Sequence, residues 1–232
     1  MKMILGKFAF TLIPIFAAII GAIIAVKAKP GPQVVSGVQH FAAGVVFAAA
    51  AGEILPDVMH QGSPLATFIG GTLGVSLMLA LKQVEQRIKG PVGLMTMVGI
   101  DILIDGLVLG IAFSAGAKAG LLLTVALTIE IVFLGLTVAN ELGETDSSLS
   151  KIVGKTAILV LMLPLGMALS APVTLLSPVV VSGFFAFGLM ALLYLVTEEL
   201  LIEAHETPDT AITTAMFFAG FLILLLLEEA IG

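Results

Sequence analysis

The chain has 232 residues, of which 59% are hydrophobic and 11% charged, and its mean hydropathy is +1.19. Soluble globular domains hold about 45–50% apolar and about 25% charged residues, so a soluble fold is excluded. The formal net charge of −6 comes from 16 acids against 10 bases, and the lack of Cys removes disulfides and thiolate metal sites.

A spanning helix needs roughly 20 apolar residues. Along the chain this ruler predicts eight spans, at about 3–26, 33–57, 64–82, 92–116, 119–141, 153–171, 179–203 and 210–230. The first is too long for a signal-peptide core and has no clear cleavage site after it, so it reads as a span. Turn chemistry separates the rest: Lys29-Pro30-Gly31-Pro32, Gly62-Ser63-Pro64, Lys89-Gly90-Pro91, Glu144-Thr145-Asp146-Ser147, Ser177-Pro178 and Thr207-Pro208-Asp209. The break between spans four and five is marked only by Gly116, Lys118 and Gly120. All loops are short, which predicts a single transmembrane domain over residues 1–232. The 25 Gly residues suit close helix packing in lipid, whereas no Trp and one Tyr leave a thin interfacial aromatic belt.

Lys and Arg divide unevenly between the two sides. The side holding the N-terminus carries Lys2, Lys7 and Lys118; the other carries Lys27, Lys29, Lys82, Arg87, Lys89, Lys151 and Lys155. The excess predicts that the second side is cytoplasmic and both termini are extracytoplasmic.

Three carboxylates fall near mid-span: Asp101 and Asp105 in span four, Glu130 in span five. An ionised side chain at a bilayer helix centre costs roughly 2.5–3.5 kcal/mol on insertion scales, so such residues are kept mostly for function. The i, i+4 spacing of Asp101 and Asp105 puts them on one helix face, and a short loop makes spans four and five antiparallel neighbours. All three can meet at one depth. No Lys or Arg lies in any span near that depth. Either some of the acids are protonated and hydrogen-bonded, or a cation sits among them.

Two further i, i+4 pairs lie at helix ends. Glu53 and Asp57 close span two on the extracytoplasmic side, and Glu199 and Glu203 close span seven on the cytoplasmic side, followed by His205. Acids at the outer mouth, middle and inner mouth are the layout of a cation path; ordinary interfacial solvation is the simpler account of each mouth pair. His40, His60 and His205 are expected to face water, although His40 and His205 could receive an ion at the exit. Glu228 and Glu229 read as a solvated C-terminus, and the scattered Met residues as packing.

Several of these residues resemble the ZIP (Zrt/Irt-like) divalent-metal transporters over the whole chain. Span seven, Tyr194-Leu-Val-Thr-Glu198-Glu199-Leu-Leu-Ile-Glu203-Ala-His205, is close to that family's Y-V-V-x-E-E-L-I-P-E-A-H. Span two, Phe41-Ala-Ala-Gly44 running to Glu53-Ile-Leu-Pro56-Asp57, resembles its Gly-rich second helix, and Asp101-Ile-Leu-Ile-Asp105-Gly106-Leu-Val-Leu-Gly110 matches H-N-x-P-[ED]-G-L-x-x-G in frame. The resemblance implies an all-α integral membrane protein with eight transmembrane helices in a 3+2+3 arrangement of inverted repeats.

The departures fall on the metal site. Asp101 and Ile102 stand where the family has His and Asn, and Ile104 replaces the helix Pro. In span five only Glu130 survives among Ile129, Val132, Phe133 and Leu134; Leu163 precedes Pro164-Leu165-Gly166 where an acid is usual; Val46 replaces a Met; the His-rich loop is missing. The site left is all oxygen: Asp101, Asp105 and Glu130. Oxygen ligands suit harder ions such as Mn²⁺, Mg²⁺ or Ca²⁺, without excluding Zn²⁺.

The resulting expectation is a transporter in the cell membrane. It would carry divalent cations (zinc, manganese or iron type, or harder ions) into the cytoplasm by alternating access, with Asp101, Asp105 and Glu130 as metal ligands. Glu53 and Asp57 would form the entrance, and Glu199, Glu203 and His205 the exit. No permanently bound cofactor is expected; the metal is substrate. Partners are the ion, the lipid bilayer and, as one allowed arrangement, a second copy in a homodimer, with nothing pointing to nucleic acid. The alternatives are a proton or other cation pathway, or a transport-deficient relative. An enzyme is not expected: paired Asp residues suggest an intramembrane aspartyl protease, but those acids come from two helices, one within G-x-G-D.

Overall fold

A computed structural model describes residues 6–61, 63–88, 90–145, 148–173 and 175–231. Residues 3–5 of the first expected span, and Lys2, Gly62, Lys89, Asp146 and Ser147 of the expected tail and turns, lie outside the described residues. Among the described residues there is no strand, and eight helices are long and apolar enough to cross a membrane. They are α1 (Gly6–Ala28), α2 (Pro32–His60), α3 (Pro64–Val84), α4 (Val92–Ala115), α5 (Ala117–Asn140), α6 (Leu149–Val173), α7 (Pro178–Ala204) and α8 (Ala211–Ile231). This is the architecture of a multi-pass membrane protein, and each helix overlaps one expected span.

Local chemistry sets the helix ends. Pro32, Pro64 and Pro178 stand at helix N-termini, where the missing N–H costs nothing. Ser63 caps α3 by accepting from the Ala66 N–H at 3.1 Å. The chain leaves α1 through Lys29 in the left-handed region at φ 45°. Two helices depart from expectation: the helical run of α5 continues to Thr145, and α6 starts at Leu149 and is interrupted at Leu161. Pro164 explains the break. Its ring clashes with the carbonyl four residues earlier, that of Val160, where the first half of α6 ends.

The helices pack in defined pairs. α1 lies along α5, α6 along α4, α8 along α2 and α3 along α7, while α4 and α5 pack against each other. Contact between α4 and α6 is at backbone level. A Cβ on Gly106 would stand 2.0 Å from the Leu163 carbonyl oxygen, and one on Gly166 1.9 Å from that of Leu103. No side chain fits at either position, so these glycines fix the register of the pair. Outward faces carry exposed apolar residues such as Phe16, Phe68 and Phe218, as lipid contact requires.

Helices α2 and α7 share one irregularity. Each begins at a Pro, runs 18 residues as α-helix, and then widens into a five-residue π-helical turn, Ala50–Ile54 in α2 and Val196–Leu200 in α7. The fourth residue of each turn is an acid, Glu53 and Glu199 respectively. A π turn adds one residue to the helical ladder and re-aims the side chains around it, which is why such turns gather at functional sites.

Candidate functional site

The mid-span acids are buried in the core. Glu130 is 0% exposed, Asp105 2% and Asp101 4%. Asp101 and Asp105 lie about 6 Å apart along α4, and Gly106, beside Asp105, is the residue pressed against α6. The register of Asp105 is thus set by backbone contact rather than by its own side chain. The buried core that α2 and α5 contribute is apolar, with Val46, Ala49 and Ala50 of α2 and Leu127 of α5 fully buried.

Asp105 and Glu130 lie close enough to share a hydrogen bond if one carries a proton, and Asp101 is within electrostatic reach of Glu130. As ionised groups, carboxylates only accept. Accordingly, Asp105 Oδ2 and both Glu130 oxygens have no hydrogen-bond donor among the described residues. The α5 hydroxyls that precede Glu130 in sequence bond within their own helix: Thr124 donates to the Gly120 carbonyl and Thr128 to that of Thr124, each at 2.6 Å. Neither hydroxyl therefore donates to Glu130. The Asp105–Glu130 contact needs a proton or a cation between its oxygens.

Glu199 is also within electrostatic reach of both Asp105 and Glu130. Sequence placed it at the inner mouth with Glu203; in the structure it sits in the π turn of α7 and also reaches the central acids electrostatically. Its neighbour Glu198 turns outward, toward Lys82 of α3: the carboxylate is 3.8 Å from Lys82 Nζ, which also donates to the Glu198 carbonyl at 3.3 Å. Glu203 stays at the helix end and accepts from Gln39 Nε2 at 3.0 Å. It borders a polar cavity of about 530 Å³ with Gln39, Asn140, Glu206 and Thr207, next to Pro30 and Pro32.

At the opposite end, Glu53 lines a cavity of about 170 Å³ with Gly52, Leu122, Phe221 and Glu228. Asp57, Glu228 and Lys118 are all within its electrostatic reach, and Lys118 Nζ is 3.7 Å from Glu228 Oε1. Glu228 is thus not a freely solvated terminal residue, as sequence suggested, because α8 packs on α2 and carries it to Glu53.

The histidines divide. His60 is exposed and bonds to the Pro56 carbonyl of its own helix. His40, expected to face water, is 2% exposed, because the start of α2 packs under the end of α7; Ser36 donates to the Ala204 carbonyl at 2.9 Å. His205 turns its Nε2 toward Asp209, 3.3 Å from Oδ2, and the His40 Nε2 is 3.8 Å from Oδ1 of the same carboxylate. Sequence reading passed over Asp209 as part of a turn; its position four residues after His205 was the available signal.

Compared with known proteins, the chain matches no family model and no curated protein.

Proposed function

We propose that this protein carries divalent metal cations across a membrane, with Asp105 and Glu130, assisted by Asp101, as the mid-membrane ligands. The observation that carries the reading is the Asp105–Glu130 contact: two buried acceptors, no donor for three of their four oxygens among the described residues, and no base at that depth in the sequence. A divalent ion is the simplest complement to such a set, and all-oxygen ligation favours harder ions of the Mn²⁺ and Mg²⁺ type while admitting Zn²⁺.

The path would run from the Glu53 cavity to the central acids, then by way of Glu199 to the cavity bordered by Glu203. The excess of Lys and Arg near the second cavity supports a cytoplasmic position for that side with both termini outside, so passage in the order given would be inward. Alternating access is supported by the pairing of helices. Exchanging α1–α3 with α6–α8, and α4 with α5, maps α1 on α5 onto α6 on α4, and α2 on α8 onto α7 on α3. It also maps Glu53 onto Glu199, each in a π turn at the same distance from its opening Pro. Since α2 and α7 cross in opposite directions, the two halves would be inverted repeats, the arrangement in which one half rocks against the other around a central site. The ZIP resemblance of α2, α4 and α7 supports the same reading, and the protein would act as a transporter rather than an enzyme.

Uptake of Mn²⁺, Zn²⁺ and Mg²⁺ into proteoliposomes tests it. Wild type is expected to take up at least one of the three with saturation, and Asp105→Ala is expected to abolish that uptake; equal uptake by both proteins would reject the site. A second reading is favoured by the same contact, because one proton shared between Asp105 and Glu130 also satisfies it. Proton flux without metal-dependent saturation in those vesicles would select that reading.

A further inference from the structure

His40, His205 and Asp209 converge from the first half of α2, the end of α7 and the turn before α8, with one possible ligand atom from each within 4.8 Å of the others. Their hydrogen bonds decide which atoms face inward. His40 Nδ1 is 2.9 Å from the Ser36 carbonyl, and His205 Nδ1 bonds to the Leu201 carbonyl. A carbonyl only accepts, so each Nδ1 carries a hydrogen, and in the neutral ring each Nε2 keeps a lone pair. Both Nε2 atoms then point at Asp209, which offers one oxygen to each: Oδ1 at 3.8 Å from His40 and Oδ2 at 3.3 Å from His205. His40 Nε2 is buried and has no hydrogen-bond partner. Three such atoms around one point are a ligand set that a cation at their centre would satisfy.

We infer that this cluster is a transition-metal site, separate from the mid-membrane carboxylates and independent of whether those transport anything. Imidazole with one carboxylate suits Zn²⁺ and its neighbours Co²⁺, Ni²⁺ and Cu²⁺ rather than Mg²⁺ or Ca²⁺. The spacing fits. Ligands at about 2.0–2.1 Å from a tetrahedral ion stand about 3.3 Å from one another, so only small movements of the exposed His205 and Asp209 would close the site. Backbone carbonyls on both Nδ1 atoms are the support that metal-binding imidazoles ordinarily have, fixing tautomer and ring orientation. Three protein ligands leave a fourth position for water, and half of the His205 side chain is solvent-accessible, so the ion is exchangeable. Gln33 Nε2 already donates to the Pro208 carbonyl at 3.2 Å; a bound ion would fasten the start of α2 to the α7–α8 turn more firmly.

The rival is a proton on one imidazole, which would leave an ordinary ion pair with Asp209. Zn²⁺ and Co²⁺ titrations of the purified full-length protein in detergent separate the two, with X-ray absorption of the Zn²⁺ form reporting the ligands. The double variant Asp105→Asn/Glu130→Gln is expected to keep one Zn²⁺ site with imidazole scattering. In that background His205→Gln and Asp209→Asn, both at exposed positions outside the packed core, are each expected to weaken it roughly tenfold or more. Unchanged Zn²⁺ affinity in either folded variant, or a Zn²⁺ spectrum with oxygen ligands only, would overturn the inference.

Discussion

The Asp105 carboxyl of α4 meets the Glu130 carboxyl of α5 inside the helix core, with Glu130 fully buried and Asp105 2% exposed. Both are acceptors when ionised, so the contact is unfavourable until something positive enters it. That one relationship calls for a proton or a cation between the two carboxyls.

Replacing Asp105 with Asn gives the contact its own donor. Asp105→Asn can donate from its amide to Glu130, and a hydrogen bond to a charged acceptor contributes roughly 1.5–3 kcal/mol. Metal-free Asp105→Asn is expected to melt at a higher temperature than metal-free wild type, and to lose the stabilisation that Mn²⁺ or Zn²⁺ gives wild type. Thermal melts in detergent with and without metal measure both effects; a variant less stable than wild type in metal-free buffer would count against the acceptor–acceptor reading.

Adjacent acids in the α7 π turn should behave differently. Glu198 faces Lys82 at the surface, where an ion pair contributes about 0–1 kcal/mol, whereas Glu199 reaches the central acids. Glu198→Gln is expected to leave metal uptake within about twofold of wild type. Glu199→Gln is expected to reduce it by about tenfold, equivalent to about 1.4 kcal/mol. Initial uptake rates in proteoliposomes decide it, and equal effects at the two positions would remove Glu199 from the path.

On the proposed path, the Glu53 cavity should govern capture rather than translocation. Glu228 adds a carboxylate beside Glu53, and Lys118 offsets it. Glu228→Gln is expected to raise the KM for metal several-fold with little change in maximal rate, the pattern of lost binding shared by all later steps. Lys118→Ala is expected to lower KM. Concentration-dependent uptake checks the sign of both.

The α4–α6 contact should tolerate no side chain. Gly106→Ala would put a methyl carbon 2.0 Å from the Leu163 carbonyl oxygen, and overpacking of this kind costs about 1–3 kcal/mol, sometimes more. Gly154→Ala, on α6 where nothing lies within 4 Å of the added Cβ, is expected to be neutral or stabilising by up to about 1 kcal/mol. Comparing the two melts isolates close approach from helix propensity.

Number and approximate extent of the helices were legible in the sequence, because hydropathy is a local sum and Pro and Gly mark the breaks. Asp101, Asp105 and Glu130 were legible for the same reason: a charge inside an apolar run is visible without any neighbour. Only the tertiary structure decided what faces what. Glu199 lies in the π turn of α7 within electrostatic reach of Asp105 and Glu130, and nothing in the residues Val196–Leu200 announces a five-residue turn. Packing of α8 on α2 brings Glu228 to Glu53, and packing of α2 under the end of α7 buries His40 beside His205 and Asp209. Each of these meetings joins residues far apart in the chain, held by backbone contacts between helices. Sequence periodicity can assign a residue to a helix face, but it carries no record of which helix that face will meet.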